Sequence, residues 1–315
     1  MKISFYAPAS IGNLGVGFDV LGMAVKPVDG SLLGDVVHLS ANSAGENTLH
    51  VSGPFAAHLP KKATDNIVWH SLQMFNQRLR EAGGQVQNLQ MALEKNLPIG
   101  SGLGSSAASS VAAIAGLNTF YGNVFKERNL LEMMGEMEAR ISGSLHYDNA
   151  APCFLGGVQL MLPGAGKICR PLPILRDCFW VMAYSGVNIS TKKARDILPE
   201  NYSRSETIRF GQQLAAFIDA CHCQNREQAF RAFSDVIAEP WRAILLPGYA
   251  EAKEFLLHEG SLAVGISGSG PTLFSVARTL ESAEDQAHWL RTNYSKTRDA
   301  FVHVCQGDEI GARQL

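Results

Sequence analysis

Charge of one sign is missing from this sequence. Lys and Arg total 27 against 29 Asp and Glu over 315 residues, and no long run of either sign occurs, so neither a nucleic-acid track nor a membrane-surface patch is expected. Long apolar runs are missing too. No stretch approaches the roughly 20 apolar residues of a bilayer span, and Met1 to Ser10 carries one Lys without an apolar core of signal-peptide length. The expectation is a cytoplasmic protein whose partner is a small molecule, with no nucleic acid and no membrane. Cysteine is sparse: Cys153, Cys169, Cys178, Cys221, Cys223 and Cys305 form no C-x-x-C pair, which in a chain this long favours reduced thiols over disulfides or structural zinc. The one cluster, Cys221-His222-Cys223, places consecutive residues on different sides of a helix, where three ligands cannot close on one metal.

What is present is a chain with 46% hydrophobic residues, enough for a sizeable core and more than one simple core organises, so two lobes are expected. Alternation predicts strands at Lys2–Ala7, Asp35–Leu39 and Val86–Leu93, and helical spacing of Ile67, Leu72, Phe75 and Leu79 predicts a helix over Asn66–Ala82. Small and apolar residues from Ser105 to Tyr121 read as a buried helix. Asn129–Ile141 reads as another, with Leu130, Met134, Met137 and Ile141 on one face. A strand at Val158–Leu162 precedes a Pro/Gly-rich stretch, Pro163–Pro173, where the lobes are expected to divide into residues 1–168 and 169–315. Beyond it come strands at Phe179–Tyr184, Leu262–Ile266, Thr272–Ala277 and, last, Phe301–Cys305. Helices are expected at Glu206–Ala220, Arg226–Ala238, Tyr249–His258 and Leu280–Asn293. Mixed order without regular βα alternation makes the fold class α+β.

The segment Pro98-Ile99-Gly100-Ser101-Gly102-Leu103-Gly104-Ser105-Ser106-Ala107-Ala108 lies between a strand and a helix. Its backbone N–H groups and the helix N-terminus are arranged to hold an anion, glycines allow close approach, and Ser105 and Ser106 add hydroxyls. A tight structural turn capped by serine is the plain alternative. Two common nucleotide loops are excluded. A Walker A loop ends in Gly-Lys-Ser/Thr, and no lysine occurs between Pro98 and Ala108; a dinucleotide loop needs glycine where Ser105 stands.

That loop resembles the central signature of the GHMP small-molecule kinases, the superfamily of galactokinase, homoserine kinase and mevalonate kinase. Ala7-Pro8-Ala9-Ser10-Ile11-Gly12-Asn13-Leu14-Gly15-Val16-Gly17-Phe18-Asp19 and Gly265-Ile266-Ser267-Gly268-Ser269-Gly270-Pro271-Thr272 resemble the other two signatures, in the same order. Within the superfamily the chain is similar to the homoserine kinase branch over nearly its whole length, notably at Pro27–Gly30, Gly143–Asn149 with Ala151-Pro152, Thr191–Pro199 and Ala238-Glu239-Pro240. The resemblance implies an N-terminal nucleotide-binding lobe, a C-terminal ferredoxin-like α/β sandwich and a homodimer. It also implies use of ATP and Mg²⁺ to phosphorylate the hydroxyl of L-homoserine in threonine biosynthesis.

Individual residues carry both a plain and a functional reading. Glu138 falls at the edge of the apolar face of Asn129–Ile141, with Glu132, Glu136 and Arg140 opposite, and a carboxylate there needs a partner. A surface salt bridge would serve; the resemblance makes Glu138 a Mg²⁺ ligand, with Ser106 as the second and Ser105 less favoured. Asn66 reads as a helix cap, or by resemblance as part of the adenine pocket. An amino-acid substrate needs a forked Arg for its carboxylate and an acid for its ammonium, for which Arg195, Arg242 and Asp19 stand available. Read alone, Arg195 begins a solvated basic helix and Arg242 pairs with Glu239. By resemblance, Asn13, Asp19, Asn149, Thr191, Arg195 and Arg242 surround homoserine. His146 and Asp148 look like a base and its orienting partner, yet a loop histidine can serve hydrogen bonding alone. Alignment by one residue decides whether Asp148 or Asn149 faces the reacting hydroxyl. The competing functions are a GHMP kinase for another alcohol, the decarboxylase branch, and a catalytically silent nucleotide-binding regulator.

Overall fold

The computed structural model describes residues 2–164, 166–175 and 178–315. Met1, and Ala165 inside the expected Pro163–Pro173 connection, lie outside the described residues. The first sheet runs Arg313–Gln314, Lys2–Pro8, Gly34–Ala41, Leu89–Glu94, Thr48–Ser52, antiparallel except for the last pair. Register sets Ile3 opposite Leu39 and Phe5 opposite Val37, so one face of the sheet is apolar and buried. On the other face Ser4 Oγ meets His38 Nδ1 at 2.7 Å, and His38 Nε2 meets Glu94 Oε1 at 2.8 Å.

Helix Ser105–Phe120 lies on the buried face, and 14 of its 16 residues are buried, which is why its sequence is apolar all round rather than striped. Helices Ile67–Glu81 and Glu127–Ser142 pack over it. The second sheet runs Ala263–Ile266, Leu273–Ala277, Phe179–Tyr184, Phe301–Gly307, Leu21–Pro27, Val158–Met161, Cys169–Leu172, with Ser10–Gly12 also paired to Leu21–Pro27. Helices Tyr249–His258 and Leu280–Asn293 cover its C-terminal half. This is a two-lobe α+β fold. No helix among the described residues is long and apolar enough to cross a membrane.

Several expected elements change. Val86–Leu93 is a strand only from Leu89, where the ladder with Gly34–Ala41 ends at Ala41 opposite Leu89; before it Asn88 O accepts from Asn42 N at 2.8 Å and Gln87 N donates to the Tyr121 hydroxyl. Arg226–Ala238 stops at Arg231, and the next residues form an irregular turn held by Asp235. Ile141 is 50% exposed while Leu130, Met134 and Met137 are buried, since the last turn of that helix overhangs the cleft rather than the core. Leu21–Pro27 carried no alternating signal because six of its seven residues are buried in the middle of the sheet. Phe301–Gly307 is followed by one more short strand, Arg313–Gln314, which returns to the first sheet.

Candidate active site

A cleft of about 710 Å³ opens between the lobes, walled by loop residues 99–102 and 104–106, Glu138, His146, Asp148, Asn149, Asp19, Arg195 and Arg242. The loop connects strand Leu89–Glu94 to helix Ser105–Phe120. Its carbonyls are turned into the protein one after another. Ile99 O accepts from Asn188 Nδ2 at 2.8 Å, Gly100 O from Ile189 N at 3.1 Å and Ser101 O from Thr272 N at 3.0 Å. Gly102 O accepts from Ser267 Oγ at 2.7 Å and Leu103 O from Ser10 N at 3.1 Å. Five consecutive acceptors are thereby occupied, and the first turn of the helix has N–H groups with no intrahelical partner. Such an arrangement forms a cradle that can hold an anion.

The three glycine-rich segments meet here. Gly102 and Gly104 have φ of 79° and 65°, the left-handed region that a side chain disfavours. A Cβ on Gly102 would lie 2.3 Å from Ser267 O, and one on Gly104 would lie 2.2 Å from Ser10 Oγ. Gly268 N donates to Gly12 O at 3.1 Å, closing the third contact. Side chains of Leu103, Ala107 and Ala108 point into the core and Pro98 is buried, so these four do not line the cleft.

At one end Leu59, Pro60, Ile67 and Ile141 make an apolar wall beside His70. Asn66 Oδ1 caps the following helix through Val68 N at 2.9 Å, while Asn66 Nδ2 and His70 Nδ1 are buried without a partner in the structure. His70 lines the cleft and Asn66 does not; a polar nitrogen such as His70 Nδ1 beside an apolar slot suits the edge of a heteroaromatic base. In the middle, Ser105 Oγ turns back to Leu97 O at 3.1 Å, whereas Ser106 Oγ donates to Glu138 Oε2 at 3.1 Å. Burial pushes the Glu138 carboxyl up to about 7, against the opposing pull of Ser106 and His146. Glu138 is only 5% exposed, a buried setting rather than the surface one expected for a salt bridge. A carboxylate and a hydroxyl beside an anion cradle are the donors a hard divalent cation takes.

Beyond them His146 Nδ1 lies 3.1 Å from Asp148 Oδ1, Asn149 Nδ2 donates to Asp148 Oδ2 at 3.3 Å, and Ser10 Oγ donates to Asn149 Oδ1 at 2.9 Å. Burial alone would depress the imidazole, but the hydrogen bond to Asp148 and the charges of Asp148, Asp19 and Glu138 outweigh it and raise His146 above its ordinary value.

At the far end Arg195 Nη1 and Nη2 donate to the two carboxylate oxygens of Asp19, both at 2.9 Å. The residues expected to take opposite ends of an amino acid are therefore paired with each other. Arg242 donates from Nε to Ala194 O and from Nη1 to Gly268 O, each at 2.9 Å, and stacks 5.2 Å from the Phe18 ring. Its expected alternative partner, Glu239, is bonded to Lys253 instead. Asn13 Oδ1 accepts from Asp19 N at 3.0 Å, and Thr191 opens the short helix Thr191–Asp196 at the cleft wall. Asn13, Leu14 and Asp19 all have positive φ, strain that clusters at binding loops.

Residues 66–157 match the family model of the GHMP kinases N-terminal domain, and residues 218–296 match that of the GHMP kinases C-terminal domain. A homoserine kinase from Cytophaga hutchinsonii is 30% identical, with 100% of this chain and 97% of that chain covered and a TM-score of 0.88. This chain is a GHMP kinase. Two further likenesses show the shared fold. The mevalonate kinase of Methanococcus jannaschii is 13% identical, with 98% of each chain covered and a TM-score of 0.71. The phosphomevalonate kinase of Streptococcus pneumoniae is 9% identical, covering 100% of this chain and 99% of that one, with a TM-score of 0.71.

GHMP kinases are ATP-dependent phosphotransferases, and in this one a buried lysine lies just before the loop. Lys95 is 1% exposed and donates to Asp35, to Ser105 O at 2.9 Å and to Ser109 Oγ at 2.9 Å. Asp35 Oδ1 accepts from Asn96 N and Leu97 N at 2.9 and 3.0 Å, so the pair ties the strand's end to the helix's start beneath the cradle. Sequence reasoning missed both residues. The available signal was a lysine three positions before Pro98 in a segment otherwise apolar on one face.

Proposed function

We propose that this GHMP kinase transfers a phosphoryl group from MgATP to the side-chain hydroxyl of L-homoserine, giving O-phospho-L-homoserine. The observation that carries this reading is the charge set at the far end of the cleft: Asp19, Arg195 and Arg242 together, beside the phosphate cradle. A zwitterion matches it, since a carboxylate and an ammonium can take over the two halves of the Asp19–Arg195 pair at once, leaving no charge buried alone. A sugar or a hydroxy acid cannot. The likeness to the Cytophaga hutchinsonii enzyme supports the same acceptor.

MgATP, when bound, supplies the phosphoryl group and a divalent charge. Residues 99–106 would hold its phosphates, Ser106 and Glu138 its metal, and Ile67 and His70 its base, with Asn66 behind them capping their helix. Phosphoryl transfer has a loose transition state, so the protein's work is positioning and charge neutralisation. Arg195 and Arg242 hold the acceptor carboxylate, Asp19 its ammonium with Asn13 and Thr191 alongside, and Asn149 orients the hydroxyl. His146, kept protonated more readily than a free imidazole, is not poised as a base. Asp148 balances its charge.

Incubation with MgATP and a panel of homoserine, mevalonate, galactose and shikimate, followed by ADP release, tests the acceptor directly; turnover of any other member in place of homoserine would overturn the reading. Arg195→Ala and Arg242→Ala are each expected to weaken homoserine use by about 2 to 4 kcal/mol of transition-state stabilisation, with ATP affinity nearly unchanged. Asp148→Asn keeps shape and removes proton-accepting capacity. It is expected to lose less than about a hundredfold in rate with the pH profile keeping its shape, because no side chain here is an obligatory base. A larger loss together with a vanished acidic limb would make Asp148 the base.

A further inference from the structure

Arg242 is 3% exposed, and the hydrogen bonds it makes go to two neutral carbonyls, Ala194 O and Gly268 O. A buried guanidinium on neutral partners needs negative charge nearby. It also needs a rigid mount, yet it sits at the end of a four-residue helix, Glu239–Arg242, whose N-cap residue is Ala238 and supplies no side-chain cap. Such a turn has no stability of its own.

Asp235 supplies both. Its Oδ1 accepts from Ile237 N and Ala238 N, each at 2.8 Å, and its Oδ2 accepts from Glu239 N at 3.1 Å. Three successive donors at the start of the turn are thus gathered on one carboxylate, which is favourable at a helix N-terminus. Tyr202 Oη donates to Ile237 O at 3.0 Å, and Lys253 bonds Glu239, bracing the same turn from outside. Among the charges that offset the burial of Arg242, Asp235 is the largest, ahead of Asp19 and Asp148. Asp235 does not line the cleft.

We infer that Asp235 is a positioning residue for Arg242: its carboxylate clasps residues 237–239 so that the guanidinium is held over Phe18 between Ala194 O and Gly268 O, aimed at the acceptor's carboxylate. This rests on the amino-acid acceptor proposed above. The clasp acts on acceptor binding: the hydrogen bonds that Asp235 accepts come from residues 237–239, and none comes from the loop at residues 99–106.

The test is steady-state kinetics of Asp235→Ala, Arg242→Ala and the double variant on the full chain, with melting curves for each. Asp235→Ala is expected to raise the KM for homoserine by about tenfold or more, with kcat and the KM for ATP within about threefold. In the double variant Asp235→Ala should add less than about twofold to the effect of Arg242→Ala, because both act through one group. Asp235→Asn keeps the Oδ1 acceptor but sets a donor against Glu239 N–H, so a smaller rise is expected, and it carries the test if the alanine variant does not fold. Equal rises in both KM values, or effects that multiply in the double variant, would overturn the clasp. An Arg242→Ala variant with unchanged homoserine KM would instead overturn the carboxylate assignment, and the clasp's role with it.

Discussion

Glu138→Gln is expected to cut the phosphotransfer rate by orders of magnitude and, in the same protein without metal, to raise stability at pH 8. The two effects have one cause. Burial lifts the Glu138 carboxyl from its ordinary 4.5 to about 7 in the folded chain, so folding favours the protonated form and the ionised form is costly. The unfolded chain binds fewer protons than the folded one between those values, and stability therefore falls as pH rises from about 4.5 through about 7. At pH 8 the cost is fully present, and its upper bound from that shift is about 3 kcal/mol. Glutamine keeps the acceptor for Ser106 Oγ and carries no charge, which removes the penalty along with the anionic metal ligand. Glu136→Ala is the control: Glu136 makes a partly exposed pair with Arg78 at 2.8 Å, an interaction worth at most about 1 kcal/mol. Urea melts at pH 5.5 and pH 8 with rate measurements on the same samples decide it. A glutamine variant within about tenfold of the parent rate would remove Glu138 from the metal site, and one less stable than the parent at pH 8 would refute the cost of its charge.

Asp35→Ala is expected to lose about 3 to 5 kcal/mol of stability, because it leaves the Lys95 ammonium buried and unpaired. Asp35 is 0% and Lys95 1% exposed, so water cannot take the partner's place. The backbone N–H groups of Asn96 and Leu97 lose their acceptor as well, each at about 1 kcal/mol or more. Replacing both residues by apolar ones, Asp35→Leu with Lys95→Met, should be the milder change, since no charge is stranded. That double variant is still expected to bind ATP poorly, because the tie between strand and cradle is gone. If the single variant melted with the parent, the pair would be ornamental. If the double variant were as damaged as the single, shape rather than charge would be what the pair supplies.

The partners that turn the cradle's carbonyls inward, Ser10, Asn188, Ile189, Ser267 and Thr272, are remote in sequence and came only from the fold. The cradle was legible nonetheless because its pattern is local: strand, glycines and a small-residue helix follow one another. Helices Tyr249–His258 and Leu280–Asn293 and strand Phe179–Tyr184 matched residue for residue for the same reason: each carries its own period and its own ends. Ile141 misled because periodicity reports a face, and cannot tell whether that face meets core or cleft. Glu138 was placed correctly on its helix, while its depth of burial depended on what packs over it.

What the sequence determined by itself is the class of chemistry: three glycine-rich segments in order and a carboxylate beside a buried helical stripe. What the tertiary structure decided is which groups face one another. Asp19 and Arg195 are 176 residues apart and meet in a bidentate pair. Asp35 and Lys95 are 60 apart and share one buried site. Both pairs lie on elements joined by sheet order and lobe packing, and a charge's partner, its burial and hence its energy are set by that packing, which leaves no periodic trace along the chain.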